Sequence, residues 1–277
     1  MGEKIDGRES FIRMKLRDHY DEAKSLGHEV FCLVLQGSQN YDLDIYCDAY
    51  KSDVDTKAIL LPSFDSFCRG SLPISTTHVR ANNEHIDLKD IRTMFETFRK
   101  QNINFVEVLF SRFYIVPEKY RETWEKLQQM GEKLTHCHPS QTLKTMAGLS
   151  FEKHKALCHP YPSIIDKINQ YGYDGKQLHH IIRINMFIKK YLSGVPFAEC
   201  LTSRTNEEYA MLIRAKMNGY SLIEAKEIAD TLNAENNAMK DDYIAKHGAD
   251  IVDVQPYVEL DSIKVDVLRS WFKEQLQ

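Results

Sequence analysis

Glycine and proline are scarce in this sequence, 12 and 8 of 277 residues. That scarcity excludes a collagen-like chain and a low-complexity tract. The longest uninterrupted apolar run, Val30 to Leu35, is six residues, whereas a membrane-spanning helix needs about 20. The opening residues Met1-Gly2-Glu3-Lys4-Ile5-Asp6 carry no apolar core of a secretory signal, so a cytoplasmic protein with no membrane partner is expected. The six cysteines contain no CxxC pair, and reduced thiols are the expectation in that compartment. The 43% of apolar residues is enough for a full core and too many for a disordered chain.

The net charge of -4 argues against a dedicated duplex-DNA binder, but it is unevenly spread. Residues 1–115 sum to -3, residues 116–193 to +5 and residues 194–277 to -6. The basic middle also holds six of the 11 histidines. A basic stretch with interleaved His and Tyr is suited to a phosphate chain, RNA first among them.

The apolar spacing alternates between helix and strand in the first third. Residues 8–26 read as a helix stopped by Gly27, Val30–Leu35 as a buried strand, and 53–61 as a second strand ended by Pro62. His85–Leu88 reads as a third strand, and Asp90 as the cap of a helix bearing Ile91, Met94, Phe95 and Phe98. After Pro117 the pattern is almost wholly helical. Asp174 is placed to cap a helix closed by Gly194, and Ser221 with Glu224 forms a capping box. The expected fold is α+β, an α/β module over 1–115 followed by a helical module over 116–277.

The chemistry concentrates in the first module. Gly37-Ser38 follows the buried strand, where a glycine lets backbone amides and a hydroxyl approach a phosphate. Asp53 and Asp55 stand two apart on a strand, so both carboxylates project from one face. Like charges that close need a cation, and hard divalent ions bind carboxylate and triphosphate oxygens together. Asp87, between Ile86 and Leu88, is a third acid for the same site if its strand lies beside the second, with Glu84 as the fallback. Each feature alone also fits an ordinary turn, a solvated strand edge or a surface acid. In the helical module Lys176, His180 and Arg183 fall on one helix face, either a phosphate-binding stripe or a solvated surface. His136-Cys137-His138 and His154 with Cys158-His159 match no common zinc spacing and read as histidines of a basic surface.

Taken together, Leu35-Gln-Gly-Ser-Gln-Asn-Tyr41 and Ser52-Asp-Val-Asp-Thr-Lys-Ala58, with Asp87 on a following strand, resemble the DNA polymerase beta-like nucleotidyltransferases. More narrowly, the chain resembles the predicted nucleotidyltransferases of the RNA-repair-pathway DNA polymerase beta family. Asp90-Ile-Arg92, the segment Asn102 to Leu109 and Lys176-x-Leu-His-His180-x-x-Arg183 extend the likeness. The resemblance implies a catalytic domain over 1–115 and a helical domain over 116–277 that binds acceptor or nucleotide. It implies catalytic and metal-binding roles for Asp53, Asp55 and Asp87, holding two Mg2+ ions (Mn2+ as a substitute). It implies nucleotide contacts from Gly37, Ser38, Lys176, His180 and Arg183. The activity implied is transfer of an NMP from an NTP such as ATP to a hydroxyl: an RNA 3′ end, a protein hydroxyl or a small molecule. A non-catalytic binding module on the same fold is the alternative of a different class.

Overall fold

The computed structural model of the chain describes residues 2–47, 50–249 and 252–277. Its first element is the long helix α1 (Gly2–Ser25), ended where Gly27 takes a φ of 85°. The β-branched and aromatic run that follows forms β1 (Glu29–Gln36). A short 3-10 turn at Ser38–Tyr41 leads to the two-stranded β2 (Tyr46–Cys47) and β3 (Tyr50–Lys51). Next come β4 (Asp55–Leu61), α2 (Phe64–Cys68), β5 (Ser75–Val79) and β6 (His85–Asp90). Then follow α3 (Ile91–Arg99), α4 (Ile103–Val106), β7 (Tyr114–Ile115), α5 (Arg121–Gln129) and α6 (Gly131–His136). Helices α7 (Pro139–Ala156), α8 (Ile165–Tyr171), α9 (Gly175–Leu192), α10 (Phe197–Thr202), α11 (Asn206–Lys216) and α12 (Leu222–His247) precede the final α13 (Gln255–Gln275). The fold is α+β, as expected.

The main sheet has five strands in the order β5-β6-β4-β1-β7, and it is mixed. β4 and β6 run parallel, while β1 pairs antiparallel with both β4 and β7. One face packs on α1 through Ile12, Leu16, Ala23, Leu33, Leu35, Ala58, Leu60, Ile86 and Leu88. Because side chains alternate along a strand, Asp55, Lys57 and Asp87 face the other way. Helix α3 buries Ile91, Met94, Phe95 and Phe98, and it packs against β4 and β6. The Asp90 side chain caps it by accepting from the Arg92 amide at 2.8 Å.

Contacts divide the chain into two compact units, Met1–Cys137 with Asp253–Gln277, and His138–Val252. The expected division at residue 115 therefore differs from the observed one. Helices α5 and α6 stay with the sheet, and α13 returns to α3, α5 and α6 over a sequence distance that no local pattern reveals. In the second unit the helix-start signals hold. Asp174 accepts from the Lys176 amide at 3.0 Å, and Ser221 and Glu224 form a reciprocal capping box. Two expectations are corrected. The second strand begins at Asp55, not at residue 53, and β5 is an additional edge strand. Its exposed Ser-Thr-Thr-His-Val sequence has no apolar alternation to betray it. No helix of the described residues is long and apolar enough to cross a membrane.

Candidate functional site

The site residues of the first unit gather at one end of the sheet, where β1 ends and β4 and β6 begin. Gly37 takes φ 88° and ψ -158°, a conformation that strains any residue with a Cβ. A Cβ there would meet nothing within 4 Å, so backbone geometry rather than crowding asks for glycine. The turn behind it is pinned. Asn40 donates to the Leu35 carbonyl at 2.7 Å, and Leu43 N donates to the Ser38 carbonyl at 3.0 Å. Arg8 reaches over from α1 and donates to the Gln39 carbonyl at 2.9 Å and to Asp44 at 2.6 Å. Asp42, at φ 54°, closes the turn in the left-handed region that Asp tolerates better than most residues.

The Gln39 side chain is buried, and its amide donates to the main-chain carbonyl of Asp53. The phosphate-binding candidate turn and the carboxylate segment are thus joined directly. Ser52 and Val54 point inward, Ser52 accepting from the Ile45 amide at 2.9 Å. Asp53 is exposed and Asp55 half-buried, so the two acids share the outer side as the alternation predicted. Asp55 Oδ1 accepts from the His85 amide at 2.9 Å. Among the described residues its Oδ2 has no hydrogen-bond partner.

Asp87 lies on β6 directly beside Lys57 in the parallel register. Lys57 Nζ donates to Asp87 Oδ2 at 2.9 Å, and Thr77 on β5 donates to Oδ1 at 2.6 Å. Burial raises the Asp87 carboxyl, but Lys57 and Thr77 more than reverse this and hold it below the usual carboxylate range. Burial pulls the Lys57 ammonium below its ordinary value, against Asp87 and Glu107, which hold it up. Lys57 is a functional candidate that the sequence reading passed over. Its signal was there: Asp53, Asp55 and Lys57 alternate in sequence, and the lysine directly precedes the apolar run 58–61.

Glu84, the fallback third acid, is committed elsewhere. It is buried against α1, bonded to His19 at 3.1 Å, Arg80 at 2.9 Å and Asn82 at 2.7 Å, with Lys15 at 3.0 Å. Burial works to raise its carboxyl, but His19, Asn82 and Lys15 bring it down to about 2.

Asp53 and Asp55 are acids with side chains not wholly buried at this end of the sheet, and carboxylate oxygens are the donors that hard cations take. Among the described residues no group of three or more His, Cys, Asp or Glu side chains is placed to hold a metal ion. Asp87 faces the same side as the pair, but both its oxygens are engaged. The histidines weighed for zinc are also engaged, His154 Nε2 lying 2.5 Å from Asp230 Oδ1.

In the second unit Lys176, His180 and Arg183 all belong to α9. Burial, then His179, Lys153, Arg183 and Lys176, push the His180 ring well below its ordinary value. Lys153 belongs to the packed neighbour α7. Burial lowers it first and Lys176 second, which adds a fourth basic group to the three read from sequence. His179 is buried, with Nδ1 3.0 Å from the Leu212 carbonyl, and plays a structural part.

No protein family model matches the chain, and no curated protein matches it. Among solved structures it is similar to a nucleotidyltransferase-like protein from Exiguobacterium sibiricum, at 12% identity and a TM-score of 0.29. That alignment covers 95% of this chain and 91% of the other.

Proposed function

We propose that the chain is a Mg2+-dependent nucleotidyltransferase that moves a nucleoside monophosphate from an NTP to a hydroxyl acceptor. One arrangement supports the reading above all. The Gly37-Ser38 turn is tied through Gln39 to the segment that presents Asp53 and Asp55, with Asp87 on the next strand. Residues that would bind phosphates and residues that would neutralise them meet at one sheet end.

In this reading the amides of the Gly37-Ser38 turn and the Ser38 hydroxyl donate to the β and γ phosphates. A Mg2+ ion held by Asp53 and Asp55 would supply the charge that stabilises the triphosphate and the departing pyrophosphate. Asp87, kept ionised by Lys57, accepts the proton of the acceptor hydroxyl. The hydroxyl oxygen bonds to the α-phosphorus as the bond to pyrophosphate breaks. Within the second unit, Lys176, His180 and Arg183 would form a phosphate-binding helix face of their own. The acceptor favoured is an RNA 3′ end, because residues 116–193 carry +5.

The test is incubation of the protein with labelled ATP, CTP, GTP or UTP, Mg2+ and bulk RNA, beside the double variant Asp53→Ala/Asp55→Ala. Label should enter RNA with the native chain and not with the variant. Label in protein or in a small molecule instead would redirect the acceptor. NTP binding with no transfer to any acceptor would replace the enzyme with a binding module.

A further inference from the structure

Lys57 is a buried cation set into the sheet beneath the proposed site, and its surroundings fix it there. Its side chain is 2% exposed, while that of the Asp87 it bonds is 21% exposed. The ammonium lies 4.2 Å from the centroid of the Phe105 ring, on the short helix α4. The charge is thus held from one side by a carboxylate and from another by an aromatic face, a combination that binds ammonium well when water is excluded. Unpaired burial of such a charge is costly, so Lys57 and Asp87 hold one another in place. Thr77 takes the second carboxylate oxygen and fixes the plane of Asp87.

A two-ion site asks the third carboxylate to serve a second divalent ion close to the first, about 3.5–4 Å away. Here the corresponding negative charge is already matched by an ammonium that cannot swing into solvent. A second doubly charged ion at Asp87 would share that carboxylate with the Lys57 ammonium, and like charges held on one carboxylate repel.

We infer that Lys57 is a built-in cation standing in for a second divalent ion, so that the site takes one ion per chain, on Asp53 and Asp55. The inference rests on the nucleotidyl-transfer reading of those two carboxylates. Lys57 is then a positioning residue: it acts through Asp87, which it holds ionised and oriented toward the acceptor hydroxyl. The proton leaving that hydroxyl goes to Asp87, the new oxygen–phosphorus bond forms, and pyrophosphate departs with the electrons of the broken bond.

Equilibrium dialysis of Mn2+ against the full-length protein, with α,β-methylene-ATP as a non-reacting nucleotide, counts the ions retained per chain. The native protein should retain one. Lys57→Met, which keeps the length of the side chain and loses its charge, should retain two. Lys57→Arg should return the count to one. Asp87→Asn should also retain one, with Mn2+ affinity within about twofold of native, a difference of about 0.4 kcal/mol. Two ions on the native chain, or one on Lys57→Met with native near-ultraviolet circular dichroism, overturns the inference. If Lys57→Met does not fold, Asp87→Asn decides, since a loss of Mn2+ affinity beyond about tenfold would make Asp87 a ligand and overturn it equally. No retained Mn2+ on the native chain sinks the nucleotidyl-transfer reading itself, an outcome distinct from a count of two.

Discussion

The side-chain amide of Gln39 donates to the main-chain carbonyl of Asp53, and this bond sets the spacing between the glycine turn and the outward carboxylates. Gln39 is buried and among the described residues its Oε1 has no hydrogen-bond partner, so its geometry is held by packing and by its amide, which also reaches the Tyr46 hydroxyl at 3.5 Å. Gln39→Ala should therefore loosen the turn from the acids. The expected result is a rise of about tenfold in KM for the NTP, and a stability loss of about 1–2 kcal/mol. Steady-state kinetics and urea denaturation separate the two effects.

The three acids divide by what they hold. Asp53→Asn and Asp55→Asn should lower transfer by a factor of about 10³ and weaken Mn2+ binding together. Asp87→Asn should lower transfer comparably while leaving Mn2+ bound. Both Asp53 and Asp55 sit at the surface side of the sheet, so thermal melts of these two variants should match the native chain. Parallel measurement of turnover, ion binding and melting temperature checks all three statements.

Acid should act on the α1 face of the sheet. Glu84 is held at about 2 in the folded chain, against an ordinary value of 4.5. The unfolded state takes up the proton first, so Glu84 contributes stability above about pH 4.5 that is lost as pH falls from there toward 2. The contribution is about 3 kcal/mol. His19, bonded to Glu84 and to Thr56 at 2.9 Å, is lowered by burial and titrates the same way from a higher start. Its share fades as pH falls below about 6.5. Stability measured against pH should fall in two stages, and Glu84→Gln should remove the lower one.

The basic group on α7 and α9 can be read by salt. Lys153 and Lys176 each lack an acidic partner among the described ion pairs, and Lys176 adds to burial in lowering the Lys153 ammonium. If this face meets single-stranded RNA, Lys153→Ala and Lys176→Ala should each reduce the slope of log affinity against log salt by about 0.7. Fluorescence anisotropy at several salt concentrations gives the slopes. Unchanged slopes would move the RNA to another face.

The legible parts of this chain were those where one local pattern dominates. Val30–Leu35 announces a buried strand by its apolar run, and Asp90, Asp174 and Ser221 announce helix starts by capping chemistry. Asp53 and Asp55 showed their shared outward side by alternation, even though the strand itself begins only at Asp55. Parts that depend on partners distant in sequence stayed hidden. The value of Lys57 depends on Asp87, 30 residues on, and on Phe105. Glu84 could not be set aside without knowing that His19 and Lys15 meet it from α1. β5 is held by backbone pairing to β6, which its polar side chains do not advertise.

The return of α13 to the first unit bears on how the chain is made. Trp271 donates to the Pro62 carbonyl at 2.7 Å, and Asp253 N donates to the Cys137 carbonyl at 2.8 Å where the chain comes back. Residues 138–252 are thus an insertion spliced into a unit that is completed by α13, a helix made after the insertion. During translation the inserted helices are complete before the sheet unit has its final covering. The sheet unit therefore cannot acquire its full packing until the whole inserted unit has been synthesised, although it is the unit that begins first.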